Sequence, residues 1–305
     1  MMLDECDPFW VVFPLIIYVL SDVIRGWRWK ILLETSGIKM SIWESSVPIF
    51  VSGISNYIFP RIGELVRTGI VKKTHNVPIS TSIGTIITER LVDLIVYALL
   101  AIVVVILEFE RIGDFVMLRL KDSWANIQNH AGISITILIG VVAVFILIRY
   151  FVKKKSSSKV GGFFSKVKHE LLSIFRLGKK QALLYIFLTF LMWFLYFAMY
   201  YSLFSMNDQS SGFTISAVLA TMVLGTLGFL LPVPGAIGTF HFFVTFALVS
   251  YHIDGEFAKL LAAFMHGNIT IVTLFTGSAC IFYLLLKYKN ISLRKLIKES
   301  EKPSD

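Results

Sequence analysis

Three ionisable residues lie inside an apolar stretch that is long enough to cross a bilayer. Glu89, Arg90 and Asp93 follow Ile83, the first residue of that stretch, by six to ten positions, or about 9–15 Å along a helix. Glu89 and Asp93 are spaced to share one helix face, and Arg90 is spaced to reach Asp93. A charge at this depth costs about 2.5–3.5 kcal/mol and is usually kept for function. The alternative is a triad that neutralises itself near the membrane surface.

A second polar group ends an apolar stretch that proline and glycine interrupt. Its members are Asn56, Pro60, Arg61, Gly63, Glu64 and Arg67. Proline and glycine stop or restart helices, so backbone amides and carbonyls here are expected to be free for a ligand. The planar arginine side chains suit a phosphate, and Glu64 could neutralise an arginine or accept an amine. A basic cytoplasmic turn is the alternative, and it accounts for the arginines but not for Glu64.

The composition requires lipid as the solvent for most of the chain. Apolar residues make up 56% of the 305 residues and charged residues only 16%, whereas soluble domains carry about 25% charged residues. Crossing a bilayer takes roughly 20 mainly apolar residues. The candidate spans are 9–24 (continuing to about 33), 83–107, 133–151, 182–204 and 257–286. We therefore predict an all-α polytopic membrane bundle, with a transmembrane domain over residues 1–286.

The basic residues predict the orientation, because loops rich in Lys and Arg stay in the cytoplasm. Residues 149–180 contain ten basic residues and one acid, which predicts a basic cytoplasmic loop. Within it, 163–176 has the pattern of an amphipathic helix on an anionic leaflet, with Glu170 on the polar face. The tail 287–305 is predicted to be cytoplasmic and the loop 108–122 to lie opposite. Since the basic loop accounts for the net charge of +9, nucleic acid is not an expected partner.

Two further apolar stretches, 42–60 and 213–252, contain proline and glycine. Both flanks of the first are basic, so we expect it to enter the membrane and return. Its interruptions are expected at Pro48, Gly53 and Pro60. The second is cut near its middle, at 232–238, and forms either two crossings or a second re-entrant pair. This order of elements predicts an inverted repeat whose interrupted segments meet near the membrane centre.

Four motifs together resemble the lysylphosphatidylglycerol synthase transmembrane family, also called flippase-like membrane proteins. They are Arg25-Gly-Trp-Arg28-Trp29, the run from Asn56 through Pro60-Arg-Ile-Gly-Glu64 to Arg67, Thr88-Glu89-Arg90-Leu-Val-Asp93, and Pro232-Val-Pro-Gly235-Ala-Ile-Gly238. Each motif alone is weakly specific, but their order and spacing match over almost the whole chain. The resemblance implies a multi-pass protein of the cell inner membrane.

The resemblance also implies a lipid transporter or flippase without a cofactor. Its substrate would be an anionic, aminoacylated or otherwise lipid-linked phosphate head group. The implied lipid-binding residues are Asn56, Arg61, Glu64, Arg67, Glu89, Arg90, Asp93, Pro232, Pro234, Gly235 and Gly238, with Arg25, Arg28 and His241 as further candidates. The alternative is a non-transporting, lipid-binding membrane partner of a lipid-modifying enzyme.

Three departures from the family pattern bear on these expectations. One family helix before Asp7 is missing, so the chain looks truncated or started late. Ala236 and His241 replace a glycine and an acid of the family pattern, which argues against an acid-dependent step there. The soluble aminoacyltransferase domain of true synthases does not follow Leu286. Together with the lack of a phosphate loop, zinc spacing or nucleophile elbow, this predicts a protein that is not an enzyme and binds no metal.

Overall fold

The structure is a computed structural model that describes residues 8–109, 167, 169–170, 172–206 and 213–288. The helices in these ranges are α1 (Pro8–Glu34), α2 (Ile42–Ile58), α3 (Gly63–His75), α4 (Ile79–Leu107), α5 (Lys179–Phe204), α6 (Ile215–Leu230), α7 (Thr239–Ser250) and α8 (Gly255–Lys287). Of the described helices, α1, α4, α5 and α8 are long and apolar enough to cross a membrane. They confirm the predicted all-α membrane bundle. The predicted span 133–151 lies outside the described residues.

The first interrupted stretch forms a hairpin of α2 and α3. α2 begins with a capping box, in which the Glu44 N–H donates to Ser41 Oγ at 3.2 Å and the Ser41 N–H donates to Glu44 Oε2 at 2.9 Å. The chain then turns at residues 59–62, where Pro60 precedes Arg61 in the left-handed conformation (φ 65°). The return helix, α3, ends at a left-handed Asn76.

The predicted interruptions at Pro48 and Gly53 are wrong, because α2 runs through both residues. A proline inside a membrane helix is tolerated where neighbouring helices pack around it, and Pro48 is buried. Gly53 serves packing, since a Cβ there would lie 3.1 Å from Thr273 Cγ2 of α8. The hairpin turn therefore lies after both residues.

The second interrupted stretch forms a hairpin of α6 and α7. Residues 231–238 join the two helices and include a short 3-10 helix, Pro234–Ala236. Gly235 (φ 57°) and Gly238 (φ 85°) are both left-handed, as glycine readily allows. With 16 and 12 residues, these helices measure about 24 and 18 Å, shorter than the bilayer core of about 30 Å. Their lengths favour a re-entrant pair over two crossings.

Small residues bring α2 close to two of the long helices. α2 packs between α1 and α8. A Cβ on Gly26 of α1 would lie 2.2 Å from Ser46 Oγ, and one on Gly277 of α8 would lie 2.8 Å from Ile54. In lipid, close packing of this kind drives helix association, because the acyl chains are as apolar as leucine. The first hairpin is therefore held firmly within the bundle.

The two halves of the bundle pack by the same plan. α2 contacts α1, α3 and α8, whereas α6 contacts α5, α7 and α4. α3 packs on α4, and α7 packs on α8. If α1, α2, α3 and α4 are exchanged with α5, α6, α7 and α8 in that order, these contacts are reproduced, as an inverted repeat requires. The inversion relative to the membrane stays a prediction.

The described end of the predicted basic loop packs against α4 and the turn that follows α1. Glu170 is buried, and it accepts hydrogen bonds from Ser36 Oγ at 2.6 Å and Arg176 Nη2 at 2.7 Å. The predicted placement of Glu170 on a polar outer face is wrong, because Gly84 leaves room for its side chain against α4. Residues 149–166 of the loop, 110–122 and the tail from 289 lie outside the described residues.

Candidate functional site

Three helices bring eight ionisable side chains together. We call this group the ion cluster. Its members are Asp22, Arg25 and Arg28 of α1, Glu64 and Arg67 of α3, and Glu89, Arg90 and Asp93 of α4. Residues three or four positions apart share a helix face, which lets each helix turn its charges toward the others. Among the described residues, the cluster contains as many arginines as carboxylates, so its charges balance when all are ionised.

Glu89 lies at the centre of the ion cluster and is fully buried. Its two carboxylate oxygens bind different arginines. Oε1 accepts a hydrogen bond from Arg25 Nε at 2.8 Å, and Oε2 accepts one from Arg67 Nη2 at 2.7 Å. Two charge-assisted hydrogen bonds offset part of the cost of burying the carboxylate. Glu89 thereby connects α1, α3 and α4.

Asp93 pairs with Arg28 rather than with Arg90. Arg28 Nη1 lies 2.8 Å from Asp93 Oδ1, and Arg28 Nη2 donates to the Tyr185 hydroxyl of α5 at 3.2 Å. Arg90 turns toward α3, where its Nε lies 3.8 Å from Glu64 Oε1. The expectation that Arg90 reaches Asp93 is therefore wrong. Within the triad, Arg90 Nη2 lies 3.8 Å from Glu89 Oε1, but the closer partners of Glu89 and Asp93, at 2.7–2.8 Å, come from other helices, so the triad does not neutralise itself alone. Tertiary packing supplies each α4 charge with a partner on another helix.

Arg67 is held inside the bundle by an aromatic ring as well as by Glu89. Its guanidinium carbon lies 3.7 Å from the ring centroid of Trp29. The Trp29 indole N–H donates to Thr85 Oγ1 of α4 at 3.0 Å, which orients the ring. Cation–π contacts are strongest where water is excluded, and Arg67 and Trp29 are both buried. Arg67 thus acts as a fixed part of the site.

One side of the ion cluster is open. Glu64 and Arg90 line this side, and Arg61 precedes Glu64 by three residues, in the turn before α3. We call these three residues the polar strip. Arg61 is exposed, and the side chains of Arg90 and Glu64 are 39% and 31% exposed. Exposed apolar side chains border the strip, namely those of Leu65, Leu91 and Leu94. An apolar border of this kind indicates that the polar strip faces the membrane.

Some buried donor and acceptor atoms near the polar strip have no hydrogen-bond partner. In the part of the chain that the structure describes, the buried polar atoms without a hydrogen-bond partner include Glu64 Oε2, Arg67 Nε and Arg90 Nε. Buried donors and acceptors are normally satisfied, and each exception calls for a partner such as a ligand or water. A water or another polar group that reached Arg90 would satisfy such atoms.

The turns of the two hairpins touch each other, as the predicted meeting of the interrupted segments requires. The Tyr57 ring, near the end of α2, packs directly on Gly235. Arg61 donates a hydrogen bond to the carbonyl of Leu230, at the end of α6. Asn56 braces the first turn, because its Oδ1 accepts a hydrogen bond from the Gly63 N–H at 2.8 Å.

In the second turn, Gly235 is buried, whereas Pro232, Pro234 and Gly238 are exposed. His241 Nδ1 accepts a hydrogen bond from the Gly238 N–H at 3.3 Å. The structure also brings His241 together with His266 of α8, with ring centroids 4.7 Å apart. Within the described ranges, no three His, Cys, Asp or Glu side chains converge as a metal site.

Sequence reasoning did not select Asp22, Tyr57, Tyr185 or His266. Asp22 lies one helical turn before Arg25, so the spacing rule that grouped Glu89 with Asp93 could have found it. The other three meet partners far along the chain: Tyr57 meets Gly235, Tyr185 meets Arg28, and His266 meets His241. Nothing in local spacing indicates such contacts.

A sequence model of the family described as "Lysylphosphatidylglycerol synthase TM region" matches residues 2–277. The chain belongs to this family. It is also similar to part of Glycosyltransferase AglD from Haloferax volcanii, with 34% identity over 106 residues, which make up 34% of this chain and 17% of that protein. The chain thus matches a small part of this curated relative's length. The comparison with solved structures gave no significant match.

Membership of the lysylphosphatidylglycerol synthase transmembrane family confirms the resemblance drawn from the four motifs. The matched range contains the whole ion cluster and both hairpin turns, and it ends inside α8. The sites assigned from the motifs therefore lie within the part of the chain that defines the family.

Replacing Gly235 of this family member with alanine is expected to force the two turns apart. The new Cβ would lie 2.5 Å from Tyr57 Cδ1, in a backbone with φ 57°. Strain of this kind costs about 1–3 kcal/mol, which lowers the thermal unfolding midpoint in detergent. Gly238→Ala is the matched control, since φ there is 85° but nothing lies within 4 Å of the Cβ. If both variants lowered the unfolding midpoint equally, the contact between Tyr57 and Gly235 would contribute nothing to stability.

Proposed function

We propose that this protein binds the anionic head group of a membrane lipid at the polar strip and moves it between leaflets. The head group is a lipid-linked phosphate, either plain, aminoacylated or glycosylated. One observation carries the proposal: at the open side of a buried, charge-balanced cluster, the partly exposed side chains of Glu64 and Arg90 lie 3.8 Å apart, and the exposed Arg61 lies in the turn just before Glu64. Charges within membrane proteins are costly and mark substrate pathways.

Arg61 and Arg90 are the cations that a head group can reach. Both are at least partly exposed, and a guanidinium group donates two parallel hydrogen bonds to a phosphate. The unpartnered Arg90 Nε supplies a donor beside the strip. Acyl chains can remain against the exposed leucines that border the strip while the phosphate leaves the lipid surface. This combination suits a lipid better than a water-soluble anion.

Glu64 and Arg67 take different roles in this proposal. Glu64, at 3.8 Å from Arg90, holds the guanidinium in place and offers a carboxylate to the amine of an aminoacylated head group. Arg67 stays paired with Glu89 and keeps α3 against α4. The touching turns of the two hairpins supply the interrupted backbone that transporters place at their substrate sites.

The setting of this activity is part of the proposal. We assign the protein to the cell inner membrane, with its C-terminus in the cytoplasm, because the tail is basic. It carries out no covalent chemistry. The similarity to part of a protein named a glycosyltransferase supports including glycosylated head groups among the candidates.

Exchange of a fluorescent phosphatidylglycerol in proteoliposomes tests the proposal. Wild-type protein is expected to make the probe accessible to a membrane-impermeant quencher faster than protein-free liposomes do. Arg90→Ala is expected to slow exchange roughly tenfold or more, because a hydrogen bond to a charged group contributes about 1.5–3 kcal/mol. Arg61→Ala and Glu64→Ala are expected to abolish exchange while the protein still folds.

Lys259→Ala is the matched control for these substitutions. Lys259 is an exposed cation on α8 that pairs with Glu256, so its loss should leave exchange unchanged. Wild-type exchange that persists in Arg61→Ala, Glu64→Ala and Arg90→Ala would reject the polar strip as the site. No exchange by the wild type, together with a stoichiometric copurified enzyme, would instead support a non-transporting lipid-binding partner.

A further inference from the structure

Arg61 carries a positive charge that no neighbouring carboxylate balances. The four arginines of the ion cluster each pair with a carboxylate, at N···O distances of 2.7–3.8 Å. Arg61 is exposed and forms no ion pair with any residue that the structure describes. Its Nη2 instead donates a hydrogen bond to the backbone carbonyl of Leu230. Because this acceptor is neutral, an anion would be a stronger partner for the guanidinium.

The Leu230 carbonyl belongs to the end of a helix. Leu230 is the last residue of α6, and the last four carbonyls of a helix have no partner within it. These carbonyls also carry the partial negative charge of the helix dipole, which attracts cations. Gly228, two residues earlier, is capped from within the second hairpin, by Thr239 Oγ1 at 2.9 Å. Arg61 caps the same helix end from the other hairpin.

The backbone of the first turn is strained at Arg61. Its φ of 65° lies in the left-handed region, which is uncommon for residues other than glycine and asparagine. Such strain persists only where the surrounding structure holds it, and it is concentrated at ligand-binding and switch regions. Toward the second hairpin, this turn is held by the hydrogen bond from Arg61 and by the Tyr57 ring, which packs on Gly235. Weakening either contact therefore favours release of the turn.

The second turn is anchored independently of Arg61. The Gly235 carbonyl oxygen lies 2.8 Å from His266 Nε2 of α8, and α7 packs on α8. Residues 59–62 of the first turn are not helical, so they can change conformation while α2 and α3 stay in place. Loss of the hydrogen bond between Arg61 and Leu230 would therefore move the first turn and leave the second attached to α8.

A phosphate is a stronger partner for Arg61 than the Leu230 carbonyl is. Hydrogen bonds that involve ionised groups are roughly twice as strong as neutral ones, and a guanidinium group binds a phosphate through two parallel hydrogen bonds. A phosphate bound in this way also engages Nη2, so it competes with the carbonyl for this nitrogen. The competition favours the phosphate, because only the phosphate also balances the charge of Arg61.

We propose that Arg61 is a latch between the two hairpins and that the phosphate of a lipid head group opens it by taking the guanidinium from the Leu230 carbonyl. Hydrogen bonds are exchanged in this step, and no covalent bond changes. The released first turn parts from the end of α6 and opens a passage between the hairpins for the head group. This role deepens the proposed function and rests on it, because the phosphate that opens the latch is the one that the polar strip binds.

The separation of the two turns tests the latch. Spin labels are attached at Ile58, at the end of α2, and at Ile237, in the second turn, because both side chains are exposed. The full-length protein is used, with its native cysteines, Cys6 and Cys280, replaced by alanine. Electron paramagnetic resonance in an uncharged detergent then measures the distance between the labels.

Phosphatidylglycerol is expected to shift the label distances to longer values, whereas diacylglycerol, which lacks a phosphate, should leave them unchanged. Inorganic phosphate is expected to act only at higher concentration, because it has no acyl chains. Distances that phosphatidylglycerol does not change, or that diacylglycerol changes equally, would overturn the latch. Equal potency of inorganic phosphate would overturn the lipid as its trigger.

Arg61→Gln tests the hydrogen bond without lipid. Loss of a hydrogen bond from a charged group is expected to raise the ratio of open to closed protein roughly tenfold or more, and phosphatidylglycerol should then add no further change. Arg61→Lys retains the cation and is expected to keep both the closed distances and the response, so it replaces Arg61→Gln if that variant does not fold. Thr239→Val is the matched control, since it removes a cap from the same helix end and should keep the wild-type distances. Closed distances in Arg61→Gln, or equal separation in Thr239→Val, would overturn the latch.

The label distances and lipid exchange fail independently. If the wild type exchanges phosphatidylglycerol in proteoliposomes but its label distances do not respond, the latch is rejected and the polar strip stays as the site. If phosphatidylglycerol separates the labels but no exchange occurs, the latch is retained as a response to binding and transport is rejected.

Discussion

Replacing Glu89 with glutamine is expected to lower the free energy of unfolding by about 3–5 kcal/mol, the cost of breaking a buried ion pair. The Glu89 carboxylate binds Arg25 at 2.8 Å and Arg67 at 2.7 Å. The glutamine side chain has one acceptor oxygen, whereas both carboxylate oxygens of Glu89 accept hydrogen bonds. It also leaves Arg25 and Arg67 without the negative charge that balances them. A titration with denaturing detergent, followed by circular dichroism, measures the change.

Two further variants make the Glu89 result specific. Glu256→Gln removes an acid that pairs with Lys259 at 2.7 Å on an exposed part of α8, so its effect should be about 1 kcal/mol or less. Combining Glu89→Gln with Arg25→Gln restores the charge balance. We expect this double variant to be more stable than the two single effects predict, by about 0.5–3 kcal/mol. Strictly additive effects would contradict a shared ion network.

Replacing Trp29 with alanine is also expected to cost about 3–5 kcal/mol. The indole ring is fully buried, and its face covers the Arg67 guanidinium at 3.7 Å. Alanine leaves a cavity beside a buried cation, and it leaves Thr85 without the indole N–H that donates to it at 3.0 Å. The same detergent titration measures the loss.

Trp43→Ala and Trp29→Phe serve as comparisons. Trp43 is 48% exposed and contacts Tyr283 edge-on, so its removal should have a much smaller effect. Trp29→Phe retains an aromatic face for Arg67 but loses the hydrogen bond to Thr85, which is worth about 1 kcal/mol. If Trp29→Ala proved no more harmful than Trp43→Ala, Arg67 would not depend on the ring.

The sequence alone determined the class of structure, the long helices and most of the polar residues of the site. Composition requires lipid, because only 16% of the residues are charged, against about 25% in soluble domains, and the apolar residues form stretches long enough to cross a bilayer. The spacing of Glu89 and Asp93 placed both on one helix face, and the structure turns both into the bundle, against Arg25, Arg67 and Arg28. Local periodicity suffices for such features, because they depend on one helix at a time.

Only the tertiary structure decided which charges pair and where the hairpins turn. Arg90 was spaced for Asp93 yet lies beside Glu64, and Asp93 binds Arg28 from another helix. Pro48 remains helical because packing around α2 outweighs its local preference. The contact of His266 with His241 joins α7 to α8. Such pairings depend on how helices that are distant in sequence come together, and spacing along a single helix carries no information about them.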